Sequence, residues 1–424
     1  MSESVAVFGW VLFALAALGA LYTLATGLAL RWFLGRPTPS ALEFPPVTIL
    51  KPLHGDEPGL RACLEGFCRQ DYPGPVQIVF GVRDSQDAAL PVVRALIAAH
   101  PELDIELVVD GRIYGANLKI SNLINMDRAA KHEIVVLADS DVSVTPGYLR
   151  CLTGALADPQ VGFATCAFIG VPTGNLWSRL SAMAINHHFL PSIAFGMGLK
   201  LAKPCFGPTV AFRREVFARI GGFPRFADHL ADDFEIGRAI RELGYGFSVP
   251  SLLIGHGCPE TTARAVISHE LRWARTIRLC DPASYAGSVI CHPLPWALLA
   301  VLLLGGSPAS LVLLAVVLAA RLLVVAQVGR LAGGDMGAWW MSPARDLLSA
   351  GIHIAGFLTR TVMWRGRKFH VARDGVLRPC RPQAVLGTAE PHVVGQPHLG
   401  HAHLGHAHLG QSHLGLAQEP SSAI

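Results

Sequence analysis

At 424 residues, the chain is 51% hydrophobic and only 16% charged, with a mean hydropathy of +0.40. A typical soluble chain carries about a quarter charged residues, so a disordered chain, a collagen-like fibre and a wholly water-facing enzyme are poor fits. The 35 Lys and Arg against 31 Asp and Glu leave a net charge of +4, too little to argue for nucleic acid and enough for a bias toward an anionic membrane surface.

Residues 7–30 contain no charge, and at about 1.5 Å per residue they exceed a hydrocarbon core of about 30 Å. Glu3 precedes the run, and Arg31 and Arg36 follow it. The positive-inside rule therefore predicts an uncleaved anchor over 1–36, with the following domain in the cytoplasm. Nine cysteines without a C-x-x-C pair fit reduced thiols in that compartment rather than disulfides or a zinc site.

Residues 45–290 alternate short Val- and Ile-rich runs with charged, helix-like stretches, the pattern of an α/β sheet domain. Strands are expected at Val47–Leu50, Val76–Val82, Leu107–Val109 and Ile134–Ala138, and helices at Ala88–Ala99 and Asp232–Leu243.

Apolar composition returns within 291–370, from Pro293 to about Val328 and from Leu347 to Trp364. Ser310–Val328 is long enough to span, provided that Arg321 snorkels or meets a partner. Leu294–Leu304 is short, so it fits a re-entrant piece or part of a bent span. The basic stretch Arg365–His370 belongs in the cytoplasm, which requires an even number of crossings after the sheet domain, whereas a simple count gives three. Residues 385–424 repeat His-Leu-Gly every five positions (His398, His403, His408, His413). They are expected to be a disordered low-complexity tail whose removal after Pro391 leaves the chemistry intact.

Four stretches carry chemistry. Asp84 follows the second strand, where ligands bind in open parallel sheets; it could accept hydrogen bonds from a uracil or ribose, or cap the next helix. Asp139-Ser140-Asp141 follows the buried run Ile134–Ala138, and residues two apart on an extended chain project to one side. Two such carboxylates suit Mg²⁺ or Mn²⁺, with a diphosphate completing the shell. In Ala231-Asp232-Asp233-Phe234-Glu235, at a helix start, one carboxylate can cap while Asp233 serves as general base toward an acceptor hydroxyl. In His269-Glu270-Leu271-Arg272-Trp273, His269, Arg272 and Arg275 share a helix face. Arg suits a diphosphate and Trp273 could wall an acceptor, although a basic amphipathic helix lying on the membrane has the same pattern.

In this order, with an anchor before and spans after, the motifs resemble the GT-A glycosyltransferases that act at membranes, whose pattern is D, D-x-D, (E/D)-D and (Q/R)-x-x-R-W. The closer resemblance is to the ceramide glucosyltransferase family. Lys51-Pro52-Leu53-His54-Gly55, Asn117-Leu118-Lys119-Ile120-Ser121-Asn122-Leu123 and Trp364-Arg365-Gly366-Arg367 look like its K-P-L-x-G, N-x-K-x-x-N-L and W-R-x-G-R segments. The likeness covers about residues 7–375.

That resemblance implies a Rossmann-like GT-A domain, a UDP-sugar donor, a divalent cation, a membrane lipid acceptor and inversion at the anomeric carbon. By motif position, Asp84 would meet the uridine, Lys119 would lie near the nucleotide and Asp139 and Asp141 would serve metal and diphosphate. Asp233 would be the base, and His269, Arg272 and Trp273 would fill the last motif. His187 or His188 would match a functional histidine of the family. His269 departs from the family's Gln or Arg. A bacterial branch of the family is associated with hopanoids, so ceramide and hopanoid acceptors, and glucose and N-acetylglucosamine donors, all stay open. A processive polysaccharide synthase shares the four motifs but needs more spans, and a non-catalytic scaffold would tolerate loss of Asp139 or Asp233.

Overall fold

The computed structural model describes residues 3–380 apart from Leu42, 334–338, Arg365, Gly366, 373 and 374. The expectations for the 385–424 tail, and for Arg365 and Gly366 of the W-R-x-G-R segment, lie outside the described residues.

In chain order the strands of the central region are β1 (Val47–Pro52), β2 (Val76–Val82), β3 (Asp104–Val109), β4 (Ile134–Ala138), β5 (Val142–Ser143), β6 (Val161–Thr165), β7 (Ala167–Pro172), β8 (Thr209–Arg213), β9 (Gly246–Ser248) and β10 (Leu253–Cys258). Seven of them form a sheet of order β3-β2-β1-β4-β8-β6-β9, parallel from β3 through β4, with β8 antiparallel to both neighbours. A second sheet, β5-β10-β7, lies over the end of β4.

Strand periodicity explains how the sheet is buried on both faces. Side chains alternate along a strand: Val47 and Ile49 of β1, Ile78 and Phe80 of β2, and Val136 of β4 enter one core. Leu50, Val79, Val135 and Leu137 enter the other. The first core is closed by α2 (Leu60–Cys68), α3 (Leu90–Ala99) and α5 (Tyr148–Ala155), the second by α4 (Leu118–Asp127), α8 (Arg214–Arg219) and α9 (Asp232–Glu242). This is the mixed α/β class expected from the sequence, a parallel-dominated sheet with helices on both sides. Its functional consequence is that β2, β1 and β4 deliver their carboxyl ends, and the residues after them, to one edge.

Among the described residues two helices are long and apolar enough to cross a membrane, α1 (Glu3–Leu34) and α13 (Pro308–Ala332). A third crossing is possible if α11 (Pro282–Gly287) with its following turn and α12 (Pro293–Leu303), which meet at a 56° bend, act as one span. The expected short segment near Leu294 is thus half of a bent pair. Small residues let these helices approach: a Cβ on Gly19 of α1 would lie 2.7 Å from the Ile290 carbonyl oxygen, and small residues favour such close helix packing in membranes. Arg321 of α13 takes the partner solution: its Nε donates to Asp346 Oδ2 (3.0 Å) and its guanidinium to the His187 carbonyl (2.7 Å).

The apolar run from Leu347 to Trp364 is not one helix. α14 (Ser342–Gly356) ends within it, and Thr361–Trp364 is a strand, β11, in an antiparallel sheet with β12 (Arg367–Val371) and β13 (Leu377–Pro379). The physical reason is polar: α14 buries Arg345, Asp346 and His353, whose partners lie on other protein elements rather than in lipid.

Candidate active site

The edge at the end of β4 is built around a half-buried ion pair. Asn117 caps α4, its side chain accepting from the backbone N–H groups of Lys119 and Ile120; this fixes the first turn and aims Lys119 at the sheet edge. Lys119 Nζ lies 2.6 Å from Asp139 Oδ1 and 3.7 Å from Asp232 Oδ2. Burial alone would depress the lysine pKa, but Asp139 and Asp232 reverse this and raise it above the ordinary value, so the ammonium stays charged. Beneath it, Lys51 at the end of β1 donates to the Asp139 carbonyl at 2.5 Å, and burial lowers its pKa to about 8.

Asp141 sits two residues on, where β5 pairs with β10 and sets His256 opposite Val142. Its Oδ2 is 3.4 Å from His256 Nδ1, whereas its buried Oδ1 has no hydrogen-bond partner. A buried carboxylate oxygen left unpaired is costly unless a ligand or cation completes it. Among the described residues no three His, Cys, Asp or Glu side chains converge into a closed metal site. Asp139 and Asp141 nevertheless match the one or two carboxylates that Mg²⁺ takes when substrate phosphates fill its remaining positions.

The adjacent carboxylates of α9 divide. Asp232 turns inward, accepting from Asn117 Nδ2 at 3.2 Å and facing Lys119. Among the described residues Asp233 accepts only from the Phe234 N–H (2.8 Å), and its Oδ2 faces Gly207, where a Cβ would approach to 3.0 Å. Burial, then repulsion from Asp232, pushes the Asp233 carboxyl up to about 6. A carboxyl group that changes protonation there can accept a proton near neutral pH.

α10 (Ala263–Cys280) closes the site. His269 Nδ1 bonds the Glu260 carboxylate, while its Nε2 is buried without a partner. Trp273 packs edge-on against His269 at 4.7 Å and against His256 at 5.8 Å between ring centroids. The Arg272 guanidinium, whose pKa burial lowers, lies in the fields of Asp139, Glu260 and Asp233. Arg272 and Arg275 also line a cleft of about 470 Å³ with Ile267, Leu271 and Met363, and Arg275 donates to the Thr361 carbonyl (2.9 Å).

The helix is anchored from its other side, where Arg345 of α14 grips Glu270 through two hydrogen bonds of 2.7 and 2.6 Å. The pair is buried, at 1% and 12% side-chain exposure. Arg345→Met should lower stability by about 3 kcal/mol by stranding the Glu270 charge. Arg345→Met with Glu270→Gln should recover most of that loss, as thermal unfolding of the single and double variants would measure.

Three of the four expected motifs thus meet, at Asp139, Asp233 and Arg272. Asp84 shares their sheet edge but is exposed, and its Oδ1 accepts from the Gln86 N–H (2.9 Å), so it closes a turn rather than capping the next helix, α3, whose cap position is Ala89. His187 and His188 lie in a π-helical turn, Ile185–Phe189, facing α13 and α14: the His187 carbonyl accepts from Arg321 (2.7 Å), and His188 Nε2 is 2.9 Å from Asp346 Oδ1. Sequence reasoning missed His256 and Glu260. Glu260 lies nine positions before His269 and outside its helix, so no spacing pairs them. Only the buried alternation of Leu253–Cys258 hinted that His256 points inward.

Residues 11–377 match the sequence profile described as glycosyl transferase family 21. The chain is 23% identical over 356 residues to ceramide glucosyltransferase 3 of Caenorhabditis elegans, covering 80% of this chain and 75% of that protein. It is 33% identical over 115 residues to the ceramide glucosyltransferase of Candida albicans, covering 24% of this chain and 21% of the relative. Among solved structures it is similar to a mannosyltransferase of Pyrobaculum calidifontis in complex with GDP-Man and Mn²⁺, at 25% identity and a TM-score of 0.48, over 81% of this chain and 97% of that one.

Proposed function

The chain belongs to glycosyl transferase family 21, and from that premise we propose that it transfers one hexose from a UDP-sugar to a hydroxyl of a membrane lipid, with inversion. The observation that carries this is the convergence of Lys119, Asp139, Asp233 and Arg272 beside an amphipathic cleft on α10, a helix that packs against α11 of the bent apolar pair.

In this reading the acceptor hydroxyl enters beside Asp233, which takes its proton as the oxygen attacks the anomeric carbon and UDP departs. Asp139 and Asp141, with its unpartnered Oδ1, would hold a divalent cation, which when bound would offset the charge gathering on the leaving group. Lys119 and Arg272 add positive charge on the same side. Asp84 meets the uridine end, His269 orients Arg272 through the shared helix, and Trp273 walls the pocket. Ile267, Leu271 and Met363 support the lipid body, a ceramide or a hopanoid polyol.

The domain over 45–290 then faces the cytoplasm, because Arg31 in the last turn of α1 and Arg36 just beyond it mark the inner side of what we take to be a bacterial inner membrane. If α11 and α12 form one span, that span and α13 give the even number of crossings that the basic stretch after Trp364 requires. The test is incubation of membranes containing the protein with labelled UDP-glucose and, separately, UDP-N-acetylglucosamine, followed by mass spectrometry of the labelled lipid. A single hexose on a lipid is expected; a ladder of oligomers would replace this reading with a processive synthase, and no labelled product would remove it.

A further inference from the structure

The end of α1 and the end of α7 (Leu190–Gly198) enclose a second groove, remote from the carboxylates and of about 410 Å³. Trp32, Arg36, Lys200 and Lys203 line it, with Met197 and Phe247 as apolar floor and no acidic residue. Among the described residues, neither Lys200 nor Lys203 has a carboxylate partner, and Arg36 spends its hydrogen bonds on the Phe33 and Val249 carbonyls.

Three observations say what this groove meets. Its depth comes from α1: Trp10 and Trp32 are both about half exposed, and at ~1.5 Å per residue they lie about 33 Å apart along the helix. That is the thickness of a hydrocarbon core, with one aromatic ring at each interface. Trp32, and with it the groove, therefore sits at headgroup level.

The second observation is the chain reversal after α7. The Lys200 N–H bonds the Met197 carbonyl and the Leu201 N–H the Gly196 carbonyl, the hydrogen-bond pair of a Schellman cap. Lys200 holds the left-handed position (φ 58°), alone among the described non-glycine residues. Glycine adopts that conformation at no steric cost, so the fold keeps a cation where it is conformationally unfavourable.

Third, the hydrophobic contact that usually accompanies such a cap is absent, because its partner position is Gly196. Leu199 and Leu201 stand 55% and 75% exposed on either side of Lys200. Apolar tips flanking basic heads is the arrangement of a segment lying in an interface.

We propose that this groove binds the phosphate headgroup of an anionic phospholipid in the leaflet next to the sheet domain, with Lys200, Lys203 and Arg36 around the phosphate and Leu199 and Leu201 in the acyl region. The proposal rests on the membrane placement of α1 and not on which sugar or acceptor the enzyme uses.

The test uses the full-length protein in neutral detergent, titrated with phosphatidylglycerol and with phosphatidylcholine while bound lipids are counted by native mass spectrometry. The wild type should bind phosphatidylglycerol at least tenfold more tightly. Lys200→Gln with Lys203→Gln should lower that affinity about thirtyfold and Lys200→Asn alone roughly fivefold, with phosphatidylcholine binding unchanged. Asn accepts the left-handed backbone, which keeps the single variant informative if the double one misfolds. Lys131→Gln, at an exposed lysine paired with Asp104, should change neither lipid. Equal affinity for the two lipids, an unaltered preference in both groove variants, or displacement of the lipid by millimolar inorganic phosphate would each overturn the proposal. Absence of the lipid preference in the wild type, with hexose transfer intact, would sink the groove alone. Absent hexose transfer with the preference intact would support the groove and count only against the proposed reaction.

Discussion

Asp233→Asn is expected to lower kcat on the order of a thousandfold and to leave the dissociation constant for the nucleotide-sugar donor within about threefold. Asn keeps the shape and can still accept from the Phe234 N–H, so the donor side is undisturbed. What it loses is the lone pair able to take a proton. The folded protein should be no less stable, because the charge removed is one that burial and Asp232 already oppose. The pH profile separates a base from a bystander. With its carboxyl pushed up to about 6, Asp233 is protonated below that pH and cannot accept a proton. Wild-type kcat should therefore fall as pH drops through about 6, and this limb should vanish in the Asn variant. Donor binding lost in proportion to turnover would instead make Asp233 a ligand of the donor or its metal.

Asp141→Asn is expected to cost about 100- to 1,000-fold in turnover, the effect of withdrawing a cation that offsets leaving-group charge. Chelation of divalent ions should reproduce the loss in the wild type, and added Mn²⁺ should restore activity to the wild type but not to the variant. A readout independent of turnover is available: Mn²⁺ titrated in the presence of UDP should bind the wild type and bind the variant more weakly. The motivation is local. Asp139 is already neutralised by Lys119 at 2.6 Å, whereas Asp141 Oδ1 is buried and unpaired, so Asp141 has more to gain from a cation. Undiminished turnover in chelator would remove the metal from the proposed chemistry.

The two experiments probe residues with different legibility. β2 and β4 were readable to the residue because a strand buried on both faces is a continuous apolar run ending where polarity returns. Asp139, Asp141 and Asp233 were readable for the same reason, since each stands immediately outside such a run or at a helix start. Asp84 was placed correctly on the edge, yet its environment was ambiguous, because an Asp that caps a turn and one that meets a ligand look alike in sequence. Arg321 was recognised as needing a partner, but Asp346, 25 positions later, could not be named. The stretch from Leu347 to Trp364 misled because hydropathy averages over a helix end and a strand without sensing the buried polar groups of α14.

The amino-acid order by itself determined the local elements, the apolar helices able to cross a bilayer and which acidic residues would stand at the tips of strands and helices. These depend on periodicity and composition within a few residues of one another. Only the tertiary structure decided that Lys119 spans Asp139 and Asp232, that Glu260 orients His269, that Arg345 braces the helix bearing Arg272, and that Trp32 meets Lys200 and Lys203. Most of these contacts join segments tens to hundreds of residues apart, and a charge in one segment has no local signature of the segment that will neutralise it. The ion pairs among them are selected by how the sheet and helices close around them, because stranding one member, such as Glu270 without Arg345, would cost more than the contact supplies.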